Sequence, residues 1–179
     1  MSAILADMAE DKFSVVNIDQ DFLLKVLNPY RDHCRYLKRA YFEQHEHQGV
    51  PGMLMKGEFS IDRSCYIDDT GHFNAVEYNI CYNQIAYLHL GYCIKHGLIP
   101  ELGLYTQESF FEKQLSNFLI ANISSGFQSL LNAKHFYGTF GIHSLKKTSK
   151  CTFIKTYCYF YDDEVGKSKG EVMLAILHP

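Results

Sequence analysis

The sequence predicts an α+β fold in which a curved antiparallel sheet of about six strands wraps one long apolar helix. Three observations predict it. Helical periodicity runs from residue 70 to Gly97, two extended stretches precede that helix, and four segments of alternating character follow it. The connections between the last three segments are short enough for antiparallel hairpins.

Residues 1–17 carry no pattern and read as a flexible arm, leaving 18–179 as a single domain. In IDQDFLLKVLNPY, Asp19 is a cap and Phe22, Leu23, Val26 and Leu27 recur at helical spacing before Pro29 stops the helix. Residues 34–44 and 53–60 read as strands of a hairpin separated by HQGVPG. The polar loop IDRSCYIDDTG then leads into the long helix, about 35 Å by its length and ended by Gly97 as a left-handed cap. Thr106 caps a second short helix, TQESFFEKQ, with Glu108 near its positive end. Strand-like segments cover 115–127, 135–147, 151–161 and 170–177. A sheet wrapped around a helix in this way is the arrangement called hot-dog, and its free edges invite pairing with a second copy.

Composition excludes several classes of function. A net charge of −3 and no basic run longer than Lys146-Lys147 leave no footprint for nucleic acid. Residues 78–94 are uncharged but contain Asn79, Asn83, Gln84 and His89, so a membrane span is not expected. Six cysteines without a Cys-x-x-Cys pair, and an N-terminus without a signal peptide pattern, point to reduced thiols and a cytoplasmic location. The 13 Tyr and 13 Phe suit an aromatic core or the lining of an acyl tunnel.

Within the helix, Phe73, Val76, Ile80, Asn83, Tyr87, Leu90 and Ile94 fall on one face, which places Asn83 on the buried stripe. A carboxamide there needs partners, either a neighbouring strand or a water or substrate carbonyl. Gly71, His72, Phe73 and Asn74 open the helix, where unpaired N–H groups and the dipole favour an oxyanion. Tyr66, just upstream, carries a phenol that can donate toward the same point.

The stretches LNPY at 27–30, CRYL at 34–37 and SCYIDDTGHFNAVEYNICYNQIAY at 64–87, with QLSNFLI, ISSGF, LNAKHF and GEVMLAILHP downstream, closely resemble the FcoT-like family of hot-dog fatty acyl-CoA thioesterases. The resemblance implies that Tyr30, Tyr66, Asn74 and Asn83 are active-site residues, with Gly71, His72 and Phe73 binding substrate, and implies no metal or cofactor. His72 and Phe73 are also similar to the Gly-His-Phe lead-in of hot-dog 3-hydroxyacyl dehydratases, without their later glutamate.

The first implied activity is hydrolysis of a fatty acyl thioester of coenzyme A or acyl carrier protein. In it the helix-start amides and Tyr66 polarise the carbonyl, Asn83 and Asn74 hold the water, and Tyr30 lines the pocket mouth. A thiolate leaves readily, so hydrolysis needs a stabilised oxyanion more than a general acid. Relatives in isonitrile lipopeptide pathways imply an alternative, addition of glycine to an α,β-unsaturated acyl thioester on a carrier protein with release of the acid. Arg35, Lys38, Lys146 and Lys147 are the basic residues weighed for the glycine carboxylate. A non-catalytic acyl-binding module is the third reading, and a homo-oligomer, dimer or hexamer, is expected by analogy.

His89, Cys93 and His96 lie at ligand-like helical spacing but have no complementary cluster elsewhere in the sequence. His45-Glu46-His47 reads as a polar turn. Cys65 is a conceivable nucleophile without an identifiable base, and no Gly-x-Ser-x-Gly elbow or glycine-rich phosphate loop is present.

Overall fold

Seven strands, all paired antiparallel, form a single sheet in the order β1-β2-β3-β5-β6-β7-β4 in the computed structural model, which describes residues 13–45, 53–68 and 71–179. The elements are β1 (Phe13–Asn17), α1 (Gln20–Val26), β2 (Leu37–His45), β3 (Met53–Phe59), α2 (Ala75–His96), α3 (Gln107–Asn117), β4 (Phe118–Ser129), β5 (Phe136–Lys147), β6 (Cys151–Tyr161) and β7 (Lys167–Leu177). The long helix lies against this sheet, and the architecture is the hot-dog fold. No helix among the described residues is long and apolar enough to cross a membrane.

The count is seven strands rather than six because residues 13–17 pair with β2 from Phe13↔His45 to Asn17↔Tyr41. Residues 13–17, read as part of the arm, are therefore a strand of the sheet. The expected β2–β3 hairpin forms, while its HQGVPG turn and the Glu46-His47 pair lie outside the described residues. Residues 115–117, read as the start of a strand, finish α3 instead, since the Thr106–Ser109 capping box starts a helix that runs on to Asn117. At the other end of α2, Gly97 adopts φ 64° and donates to Cys93 and Ile94, as the sequence anticipates.

The buried face of α2 matches the predicted one only in part, at Phe73 and Leu90. Tyr78, Cys81, Tyr82, Ile85 and Leu88 are fully buried, and the Tyr78 phenol donates to the Cys158 carbonyl of β6 at 2.9 Å. Tyr82 shares a 2.7 Å hydrogen bond with the Thr156 hydroxyl of the same strand. The face carrying Val76, Ile80, Asn83 and Tyr87 points away from the sheet, with Val76 45% exposed and the other three half-buried. Both faces are rich in apolar residues, so periodicity alone does not say which one the sheet covers. On the flanks, α1 and α3 close over the helix, with Phe22 edge-on to Tyr92 and the Phe110 ring seated on Gly91, where a Cβ would come within 2.7 Å of it.

The buried carboxamide that ties the helix to its neighbours is Gln84, one residue after Asn83. Its Oε1 accepts from the backbone N–H of Tyr36 and of Leu37, each at 2.9 Å, and its Nε2 donates to the Cys34 carbonyl at 2.6 Å. All three backbone groups lie where the chain enters β2, and Gln84 is wholly buried.

The aromatic excess fills the core. Phe59, Phe73, Tyr78, Phe136 and Phe160 pack ring against ring, with Phe73 at 4.9 Å from Phe136 and Tyr78 at 5.1 Å from Phe160. These rings occupy the space that an acyl tunnel lined by them would need.

Gln84→Leu keeps the volume but strands two buried donors and one acceptor. It should lower unfolding free energy by about 3 kcal/mol in a chemical denaturation series.

Candidate active site

Asn74 is the N-cap of α2, and its side chain organises everything around the helix start. Its Oδ1 accepts from the backbone N–H of Val76 at 3.0 Å and of Glu77 at 3.2 Å, while the Glu77 carboxylate accepts from the Asn74 N–H at 3.3 Å. This is a complete capping box, legible beforehand in the Asn-x-x-Glu spacing. The one acidic side chain buried on α2 is thus Glu77, and its carboxylate closes the cap.

The same Oδ1 accepts a third hydrogen bond, from the Tyr66 phenol at 3.1 Å. Three donors on one oxygen fix the orientation of the amide, so Nδ2 must point the other way. That Nδ2 is shielded from solvent and has no hydrogen-bond partner. A buried donor of this kind is worth about 1–3 kcal/mol to any acceptor that reaches it.

Four of the backbone amides at the helix start are already committed. Phe73 N–H donates to the Leu131 carbonyl at 3.1 Å, and the Asn74, Val76 and Glu77 amides are all engaged in the cap. A buried side-chain donor without a partner at this helix end is the Asn74 carboxamide, in the positive field of a 22-residue helix.

A concavity lies on each side of the Tyr66–Asn74 bond. On the Asn74 side, about 560 Å³ is bounded by His72, Phe73 and Ala75 and by the end of β4, including Phe127 and Leu130. Phe73 is buried in the core, His72 is exposed at the rim, and Gly71 sits just before them at φ 74°. On the Tyr66 side, about 580 Å³ is bounded by His33 and by the loop from Asp62 to Asp68. That loop is held at both ends. Tyr36, pinned through its backbone by Gln84, donates its phenol to the Arg63 carbonyl at 3.3 Å, and Tyr66 reaches Asn74.

The other two predicted residues lie apart. Asn83 is nine residues up the helix from Asn74, about 13.5 Å along the axis, and lines neither concavity. Within one protomer it does not share a carbonyl position with Tyr66. Tyr30 is set against the middle of α2; burial raises its phenol pKa, and Tyr87 and Cys81 nearby raise it further. It too lines neither concavity.

Of the basic residues weighed for an anion, Arg35 is engaged by the carbonyls of Leu27 and Tyr30 and by Asp32. Lys146 and Lys147 sit exposed at the far end of β5. Arg63, in the loop beside Tyr66, was not among them, since nothing in its sequence neighbourhood marks it. Cys65 lies close to Cys34 and Tyr36 and packs against the core. His89 is buried between Phe42 and Phe140, with Nδ1 3.7 Å from the Cys93 sulfur, while burial pushes the Cys93 thiol up to about 12 and His96 is exposed.

The family model described as the FcoT-like thioesterase domain matches residues 25–176. A (2E)-enoyl-[ACP] glycyltransferase of Streptomyces coeruleorubidus is 36% identical over 165 residues, covering 89% of this chain and 98% of the relative. A (2E)-enoyl-[ACP] glycyltransferase of Mycobacterium marinum is 34% identical over 177 residues, covering 97% of this chain and 94% of the relative. The solved structure of zebrafish thioesterase superfamily member 2 aligns over 88% of this chain and 94% of that one, with a TM-score of 0.48 at 9% identity. With its sequence matched almost from end to end, the chain belongs to the FcoT-like thioesterase family.

Proposed function

We infer that the protein is an enzyme that adds glycine to a (2E)-enoyl thioester on acyl carrier protein and releases the β-amino acid, with simple acyl thioester hydrolysis as the coarser activity of the same site. The observation that carries this reading is the pairing of a polar and a more apolar concavity on either side of one hydrogen bond, Tyr66 to Asn74. Two concavities suit two substrates. The near full-length similarity to relatives named as glycyltransferases favours addition over hydrolysis.

The chemistry follows from the unpartnered donor. An enoyl thioester in the cavity beside Phe127 and Leu130 would set its carbonyl oxygen on Asn74 Nδ2. As the glycine nitrogen bonds to C3, the C2=C3 π electrons move onto that oxygen as an enolate, which Nδ2 and the helix dipole stabilise. The nitrogen then loses a proton and C2 gains one, restoring the thioester. Water attack at C1 followed by thiolate departure develops charge on the same oxygen, so one donor serves both steps. Tyr66 positions Asn74 by holding its Oδ1.

Assembly belongs to the same reading. Ile123 and Phe127 face the concave side of the sheet through pairing with Val172 and Ser168, yet are 39% and 43% exposed because β4 is an edge strand. A second copy pairing at this edge would cover them and close the cavity that Phe127 lines.

Incubating the protein with a (2E)-enoyl thioester of acyl carrier protein, with and without glycine, and weighing the products should give a free acid carrying glycine at C3. Unmodified enoic acid in both samples would leave hydrolysis alone. Asn74→Asp retains a capping oxygen but loses the Nδ2 donor, so thermal stability should hold within about 0.5 kcal/mol while turnover falls about 100-fold. Tyr66→Phe, which only loosens Asn74, should cost about tenfold. Ile123→Glu should shift the molecular mass by light scattering toward the monomer and reduce turnover with it.

A further inference from the structure

The concavity on the Tyr66 side has a composition that the acyl substrate does not use. Arg63 contributes a guanidinium with no ion pair among the described residues, and His33 lines the same concavity. Asp62 and Asp68 supply carboxylates, and the Ser64 hydroxyl is buried without a partner. A hydroxyl in that state costs free energy unless something in the cavity meets it. One cationic group, two anionic groups and an unsatisfied hydroxyl in about 580 Å³ fit neither a fatty chain nor a simple anion.

They do fit a small zwitterion. A carboxylate on the guanidinium forms a charge-assisted, bidentate pair, and an ammonium finds carboxylates in the same space. The loop that presents them is held to Tyr36 through the Arg63 carbonyl and to Asn74 through Tyr66. The loop that carries Arg63 is therefore fixed beside the helix start.

We propose that this concavity is the amino acid subsite, with Arg63 binding the carboxylate of glycine and Ser64 and the Asp62 and Asp68 carboxylates receiving its ammonium end. The assignment rests on the addition reading above. The bond that forms is N–C3, so the ammonium first gives one proton to an adjacent carboxylate, and the resulting amine must face the Tyr66–Asn74 contact while the glycine carboxylate stays behind on Arg63.

The test compares glycine with glycinamide, which keeps the amine and lacks the carboxylate, using a (2E)-enoyl thioester of acyl carrier protein. Arg63→Gln should raise KM for glycine about tenfold or more while leaving KM for the enoyl thioester and for glycinamide unchanged. Arg63→Lys should recover part of the loss. An unchanged glycine KM in Arg63→Gln, with adduct still formed, overturns the subsite and leaves the addition reading standing. So does an equal rise for glycinamide, which would mark a structural effect. If the unaltered protein forms no glycine adduct at all, both readings fall.

Discussion

One oxygen atom, Asn74 Oδ1, couples the fold to the site. It receives the Val76 and Glu77 amides that start α2 and the Tyr66 phenol that ends the preceding loop. Satisfying three donors on one side of a carboxamide leaves the other side with two N–H bonds and no acceptor. The cap that stabilises the helix therefore also prepares a donor, at the end of the helix where negative charge is favoured. Stability and reactivity meet in one residue.

The support beneath this oxygen comes from the opposite side of α2. Gln84, buried in the middle of the helix, fixes the backbone of Cys34, Tyr36 and Leu37, and Tyr36 in turn holds the loop that carries Arg63 and Tyr66. Behind it, the Phe59, Phe73, Phe136 and Phe160 rings hold the helix start against the sheet. The side chains around the site are thus positioned by groups already locked in the core, so little ordering is left for substrate binding to impose.

A helix start whose own carboxylate is engaged in the cap suits chemistry in which charge develops on a carbonyl oxygen and departs as a thiolate or returns to carbon. Glu77 is the acidic residue on α2 nearest this point, and it is engaged in the cap. Water attack at C1 and amine attack at C3 make the same demand on the donor. They differ in whether a second molecule is bound alongside, and in the proposed reading the concavity around Arg63 is the place for it.

The sequence by itself determined most of the elements and several of their ends, though neither β1 nor the boundary between α3 and β4. Asp19, Thr106 and Gly97 act where their local chemistry says they should, because caps and turns depend on residues within a few positions of one another. The succession of elements along the chain, with two strands before the helix and four after it, and Tyr66 and Asn74 as neighbours of the helix start, were legible for the same reason. Tertiary structure alone decided which face of α2 meets the sheet. With apolar side chains on both sides, only the strands packed against it select Tyr78, Cys81 and Tyr82 over Ile80, Asn83 and Tyr87, and that choice separates Asn83 from Tyr66. It also decided that Gln84 carries the buried hydrogen bonds, that residues 13–17 form an edge strand, and that Arg63 shares a wall with His33. Such pairings join residues distant in sequence, and no local pattern records which distant partner will fill the space.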